Sequence, residues 1–183
     1  DSGMVLPFVY GRDYANIFCS IIAIALFVYY VFLILQQTTI DPLTGLLNRQ
    51  AFYSDTSRTP EDISAVLSID RNGLKPINDT LGHSAGDEAL TAIAVCFSRA
   101  LKRGQSCYRV GGDEFVIVCR KTSQDEVMKL IERINHFVSE TKYSCSIGYS
   151  YRSDATESID DLLKESDEMM YANKAEYYTH SNR

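Results

Sequence analysis

Two short stretches of the chain place carboxylates where metal-assisted phosphate chemistry could occur. Asp70 ends the apolar, β-branched run 63–70, and an unpaired carboxylate there would be costly to bury unless it is paired or metal-bound. Asp113 and Glu114 directly follow a Gly-Gly pair and precede a second apolar run. Glycines let a bulky anion approach the backbone, and adjacent carboxylates supply the hard oxygen ligands that Mg²⁺ prefers. The alternative interpretation is a solvated hairpin turn whose charges are incidental.

Such a site requires that the strand ending at Asp70 lie beside the hairpin that carries Asp113. The two carboxylates could then share a cation, as in enzymes of phosphoryl and nucleotidyl transfer. Periodicity alone does not establish this adjacency. The formal net charge is −6, and the sequence has no basic stripe, so a nucleic-acid partner is not expected. Phosphate chemistry is therefore expected to be local.

The surrounding elements alternate between strands and helices. The Gly-Gly pair predicts a hairpin between the strands CYRV and EFVIVC, and ISAVLSID and YSCSIGYS are predicted as further strands. Helices are predicted over 74–81 and 87–103, after a Ser123–Glu126 capping box, and from a Ser158–Asp161 cap to about Lys174. This order favours an α+β fold with a mainly antiparallel sheet flanked by helices.

The first forty residues have a different character. The run Ile17–Leu35 contains no charge and, at about 1.5 Å per residue, nearly spans a hydrocarbon core of roughly 30 Å. A domain of this size cannot bury a helix that is apolar on every face, so 17–35 is predicted as a transmembrane helix. Residues 1–16 are then an extracytoplasmic or inter-span segment, 36–40 a short linker and 41–183 the globular domain. The five cysteines form no C-x-x-C pair and are interpreted as reduced core residues of a cytoplasmic domain.

Five ordered blocks resemble one known family. DPLTGLLNRQAF, DRNGLKPINDTLGHSAGDEAL, RVGGDEF, SIGYS and SDEMMYANK occur in the order and spacing of the GGDEF family of diguanylate cyclases, over roughly Asp41–Lys174. The resemblance implies a palm-like fold similar to adenylyl cyclases and polymerases. It also implies condensation of two GTP molecules into cyclic di-GMP, with each subunit of a homodimer presenting one GTP. A protein with this domain and one membrane helix is expected at the inner membrane, with the catalytic domain in the cytoplasm.

The resemblance also assigns residues. It gives Asp70 and Asp113 as carboxylate ligands of Mg²⁺ or Mn²⁺, with the Arg71 carbonyl as a further ligand. Glu114 corresponds to an acid that binds a second metal or helps to deprotonate the 3′-hydroxyl. The substrate contacts it implies are Lys75 and Lys174 toward the phosphates, Asn78 and Asp87 toward guanine, and Leu74 as a further substrate-binding residue. Asp87 also has a purely structural interpretation, because an acid is favoured near a helix N-terminus. It implies that four further residues support the domain without taking part in the chemistry: Asp41, Asn48, Arg49 and Asp167. His83 is interpreted as a buried hydrogen-bonding group.

Two departures from the family pattern bear on activity and on its inhibition by product. Family members commonly follow the lysine equivalent to Lys174 with a Gly-Arg-Asn group whose arginine touches phosphate, and here Tyr177, Tyr178 and Thr179 stand there. The positions of the family's inhibitory product site read Lys102-Arg103-Gly104-Gln105, so no such site is expected. The first departure keeps a second hypothesis open, in which the domain is a weakly active or inactive GTP-binding regulatory module.

Overall fold

The computed structural model describes residues 5–36, 38–152 and 157–181. It divides into two units, residues 1–38 and 39–183, which are described separately. The first contains helix α1, Val5–Gln36, in which Asn16–Ile34 is long and apolar enough to cross a membrane. The predicted span 17–35 lies within this helix. The segment expected before it is helical from Val5 onward, while residues 1–4 and the linker residue Gln37 lie outside the described part.

The second unit is a five-stranded sheet with helices on both faces. The strands lie in the order β1-β3-β4-β2-β5, with β1 parallel to β3 and every other pair antiparallel. The prediction of an α+β fold with a mainly antiparallel sheet is therefore confirmed. In chain order the elements are β1 Leu47–Asn48, α2 Arg49–Arg58, β2 Ile63–Arg71, α3 Leu74–Leu81, α4 His83–Ala100, β3 Gln105–Arg109, β4 Glu114–Arg120, α5 Gln124–Ser139, β5 Cys145–Tyr151 and α6 Ile159–Ser181.

Strand β2 forms the centre of the core because it is covered on both faces. Leu67 and Ile69 point to the face packed by α4 and α5, and Val66 points to the opposite face with α2 and α6. Alternation along a strand accounts for this division, and burial on both sides accounts for the nearly continuous apolar sequence. Of the cysteines, Cys96, Cys107 and Cys119 are buried as expected, and burial raises the pKa of the Cys119 thiol to about 12.

Several element boundaries differ from the sequence prediction. Helix α4 begins at His83 rather than Asp87, directly after Gly82. Gly82 has a φ of 86°, which interrupts the helical backbone between α3 and α4. His83 is exposed, so its interpretation as a buried group is wrong. Helix α2 begins at Arg49 and is capped by the Asn48 side chain, which accepts a hydrogen bond from the Ala51 amide. The Ser123 and Ser158 caps are both present, but α6 continues past Lys174 to Ser181.

Candidate active site

The register of the sheet brings Asp70 to the hairpin. On β2, Asp70 lies opposite Glu114 of β4 and opposite Ser146 of β5. The next amide, that of Arg71, donates to the Asp113 carbonyl at 3.0 Å. The adjacency that the sequence left open is therefore present, because the last residues of β2 pair with the first residue of β4 beside the Gly-Gly tip.

The Asp70 carboxylate is buried and only partly neutralised. It is 3% exposed, and its Oδ2 accepts a hydrogen bond from Lys174 Nζ at 2.7 Å. Its Oδ1 is buried without a hydrogen-bond partner among the described residues. Burial raises the pKa of the Asp70 carboxyl, and the charge of Asp113 adds to this, while the bond from Lys174 opposes it. Burial alone would lower the pKa of Lys174, but its bond to Asp70 raises it.

The hairpin tip is held in place from the side of the sheet that carries β1. Arg109 donates through Nε and Nη2 to the Gly112 carbonyl, at 3.3 and 2.8 Å, and through Nη1 to Asp41 at 3.1 Å. Thr44 adds two hydrogen bonds to the same Asp41 oxygen. Burial would raise the pKa of Asp41, but the bonds from Thr44 and Arg109 outweigh it and lower that pKa. Asp41 therefore supports the tip, as the scaffold role implied by the resemblance requires.

Glu114 folds back over the tip. Its exposed side chain lies against Gly111, where an added Cβ would be 2.6 Å from Oε2, so only glycine leaves the carboxylate this position. On the same face, a cavity of about 210 Å³ is lined in part by Glu114, Arg49 and Asp167. Arg49 and Asp167 thus border the site, a placement that their scaffold interpretation did not include.

The carboxylates fit a divalent cation whose coordination shell is completed by other ligands. Within the described residues, no group of three or more His, Cys, Asp or Glu side chains is gathered to hold a metal ion. Mg²⁺ in nucleotide enzymes is typically bound by one or two carboxylates together with substrate phosphates and water. The unpartnered Oδ1 of Asp70, with Asp113 close enough to raise the Asp70 pKa, provides such a pair.

The residues expected to read guanine meet at the junction of α3 and α4. The Asn78 amide lies directly over Gly86, where an added Cβ would be 2.0 Å from Oδ1, and that oxygen is buried without a partner in the described part of the chain. Asp87 is exposed beside it. Because α4 begins at His83, Asp87 lies in the second turn, so its interpretation as an N-terminal acid is wrong. Lys75 is exposed and Leu74 half-buried on α3.

Three features of the site were missed in the sequence. The Arg71 side chain is buried on the face of β2 opposite Asp70, beneath the Tyr143 ring at 5.1 Å. The Tyr178 hydroxyl accepts a hydrogen bond from the Gly73 amide at 3.1 Å. Gly148 of β5 lies against the α6 backbone, where an added Cβ would be 2.0 Å from the Ser166 carbonyl oxygen. Because side chains alternate between the two faces of a strand, the sequence could have predicted that the Arg71 side chain lies on the face opposite Asp70. The other two contacts depend on the length and position of α6.

Comparison with known proteins agrees with this geometry. The sequence profile of the family described as "Diguanylate cyclase, GGDEF domain" matches residues 38–179. The chain belongs to the GGDEF family. Among curated GGDEF proteins, it is 36% identical over 147 residues to the diguanylate cyclase DgcM of Escherichia coli K12, covering 73% of this chain and 35% of DgcM. It is 32% identical to the probable diguanylate cyclase DgcJ, covering 76% of this chain and 30% of DgcJ. The chain thus spans about a third of the length of these relatives.

Solved GGDEF structures share the fold. The GGDEF domain of TpbB (YfiN) from Pseudomonas aeruginosa superposes with a TM-score of 0.68 at 30% identity, covering 75% of this chain and 89% of that one. The coiled coil and GGDEF domain of DgcB from Caulobacter crescentus, in complex with c-di-GMP, superposes with a TM-score of 0.71 at 23% identity, covering 88% and 93%. The palm-like architecture expected from the resemblance is therefore confirmed.

Proposed function

We propose that this chain is the catalytic part of a membrane-anchored diguanylate cyclase that condenses two GTP molecules into cyclic di-GMP and two pyrophosphates. The observation that carries the proposal is the pairing of Asp70 with Glu114 across β2 and β4, with the Arg71 amide bonded to the Asp113 carbonyl. Family membership and the presence of both expected guanine-reading residues beside Gly86 support it.

The acidic end would handle the reacting phosphate. Asp70 and Asp113, with the Arg71 carbonyl and Glu114, would hold Mg²⁺ or Mn²⁺, which when bound stabilises charge on the attacking and leaving oxygens. Lys174 is bonded to Asp70 in this structure and has a quarter of its side chain exposed. It can therefore turn from Asp70 to a phosphate oxygen. A lysine ammonium suits this role because it is a mobile point charge.

The bond changes in this proposal occur between two subunits. The ribose 3′-oxygen of one GTP attacks the α-phosphorus of the other, and the bond from that phosphorus to pyrophosphate breaks. The Glu114 carboxylate, which is exposed, would accept the 3′-hydroxyl proton. Repeating the step in the opposite sense closes the ring, which is why a homodimer with one GTP on each subunit is required.

The α3–α4 junction would select the base. The Asp87 carboxylate would accept from the N1 and exocyclic amino groups of guanine, which adenine does not present together, and the Asn78 amide would contact the ring edge. Leu74 and Lys75 would border the phosphates from α3. The absence of a basic stripe fits a nucleotide substrate better than a nucleic acid.

The apolar helix would attach this domain to a membrane. Asn16–Ile34 has the length and composition of a span, and its side chains are exposed within this chain. We place the domain on the cytoplasmic side of the inner membrane, where GTP is available. Fractionation of cells that express the chain should recover it with membranes and release it with detergent but not with salt.

A second candidate function is a GTP-binding regulatory module. It is favoured by Tyr178, which stands where the family commonly has a phosphate-binding arginine and is bonded instead to the Gly73 amide. The full chain in detergent, incubated with GTP and Mg²⁺, separates the two functions. We expect cyclic di-GMP by mass spectrometry, and none from Asp113→Ala. GTP binding without product at any concentration that permits dimers would support the regulatory module.

A further inference from the structure

The Arg71 side chain has no partner that accounts for its burial. It is 2% exposed, and its Nε and Nη1 are buried without hydrogen-bond partners among the described residues. No ion pair joins it to a carboxylate in that part of the chain. Arginine remains protonated in proteins, so the fold buries a cation with two of its three nitrogens lacking a hydrogen-bond partner among the described residues. Burying an uncompensated charge is strongly unfavourable.

The contacts around Arg71 do not offset that cost. The guanidinium carbon lies 5.1 Å from the centre of the Tyr143 ring, and a cation–π contact is a modest stabilisation compared with the burial of a charge. Besides the Tyr143 ring, the groups that act on its charge are the Tyr177 and Tyr178 hydroxyls and Asp113. Arg71 is therefore in the electrostatic environment of the acidic end, while its Nε and Nη1 have no hydrogen-bond partner among the described residues.

The residues next to Arg71 in the chain are ones to which the proposed function gives metal and phosphate contacts. Its carbonyl and the preceding Asp70 belong to the acidic end, and the Gly73 turn that follows leads into Leu74 and Lys75. Tyr177 and Tyr178, which lie in the last turns of α6 near Arg71, are each more than a third exposed. Two of the groups that act on the charge of the guanidinium therefore border solvent.

We propose that the Arg71 guanidinium is a triphosphate-binding group, whose Nε and Nη1 donate to phosphate oxygens of the nucleotide. This inference rests on the proposed function, because it takes GTP as the ligand. Nε and Nη1 point to different sides of the guanidinium, so each would donate one charged hydrogen bond to a separate phosphate oxygen of the triphosphate. The burial cost carried by the free protein is then removed when the ligand binds.

If Arg71 binds phosphate, one substitution should raise the melting temperature of the free protein and lower its affinity for phosphates. A purely structural role of Arg71 would not give both effects. Arg71→Met keeps a long side chain and removes the charge. We expect the free variant to melt at a higher temperature than the wild type, since replacing an unpaired buried charge with an apolar group is stabilising. We also expect its affinity for GTP and for inorganic pyrophosphate to fall about ten- to a hundred-fold, the loss typical of charged hydrogen bonds.

The experiment is a thermal-shift titration of the full chain in detergent with GTP, pyrophosphate and guanosine, each in the presence of Mg²⁺. Arg133→Met is the matched control, since Arg133 also has an unpartnered buried nitrogen but donates through Nε to the Ala100 carbonyl at 2.8 Å. We expect Arg133→Met to lower the melting temperature and to leave all three affinities unchanged. Guanosine should bind to wild type and to Arg71→Met equally.

Several outcomes would overturn the inference. These are an unchanged pyrophosphate affinity in Arg71→Met, an equal loss of guanosine affinity, or a free variant that melts below the wild type. Because binding is measured without turnover, the proposed function fails separately. Arg71-dependent pyrophosphate binding in a chain that makes no cyclic di-GMP would retain the inference and reject the cyclase. A wild type that binds neither GTP nor pyrophosphate would reject both.

Discussion

The two ends of the candidate substrate site are built on different kinds of support. The acidic end extends from β2, which is buried along almost its whole length and is fixed in register by a strand on each side. The base-reading end extends from α3, which has no fully buried residue. Sheet register therefore fixes the carboxylates before any ligand arrives, while at the base-reading end Asn78 and Leu74 of α3 lie close against Gly86 of α4.

The largest expected effect is at the acidic end, where nothing else can replace a lost carboxylate. Asp113→Asn should lower kcat at least about a thousand-fold, because a bound cation contributes several kcal/mol to the transition state. The melting temperature should change little. Asp125→Asn, an exposed carboxylate on α5, is the control and should keep full activity. Retention of more than a tenth of the wild-type rate by Asp113→Asn would contradict the assignment of Asp113.

A smaller effect is expected at the base-reading end. Asp87→Ala should reduce the preference for GTP over ATP, measured as the ratio of kcat/KM values, by about 10- to 100-fold, the loss expected for charged hydrogen bonds. The neighbouring Glu88, which is 70% exposed, provides the control Glu88→Ala. If both variants keep the wild-type preference, Asp87 does not read the base.

The contact between α3 and α4 can be tested without removing a functional group. Gly86→Ala would put a Cβ 2.0 Å from Asn78 Oδ1 and force the amide to move. We expect KM for GTP to rise about ten-fold, with kcat nearly unchanged, since the acidic end is untouched. In an Asn78→Ala background, Gly86→Ala should raise the KM for GTP much less, because the clash is gone. Additive effects in the two variants would show that Gly86 acts independently of Asn78.

The smallest effect concerns the support of the hairpin tip. The pKa of Asp41 is lowered in the folded protein, so its ionised form contributes stability above the unfolded pKa, and this is lost as the pH falls through the folded value. Asp41→Asn should lower the free energy of unfolding by about 1 kcal/mol at neutral pH. The difference from wild type should shrink as the pH falls through the lowered pKa of Asp41 in the folded protein. Urea melts at several pH values would measure it, and a pH-independent difference would reject the ion pair with Arg109 as its cause.

The contrast between the two ends also separates what the sequence could predict from what it could not. β2 and the hairpin were predictable because their apolar pattern and Gly-Gly turn are local signals. Asn78 and Asp87 were paired as guanine readers only through family resemblance, and this pairing stays a prediction. The helix that carries Asp87 begins four positions earlier than predicted, because Gly82 was interpreted only as the end of α3. The contact of Tyr178 depends on how far α6 extends beyond Lys174, and no local pattern encodes that length.

The packing of Gly148 against α6 limits which positions of this domain can change. Nothing but hydrogen fits between β5 and the α6 backbone there, since an added Cβ would lie 2.0 Å from the Ser166 oxygen and 2.3 Å from the Met170 amide nitrogen. Lys174 lies one helical turn beyond Met170, so any larger side chain at position 148 would move the ammonium away from Asp70. In a library of all single substitutions selected for activity, position 148 should therefore be as intolerant as Asp70, although it bears no functional group.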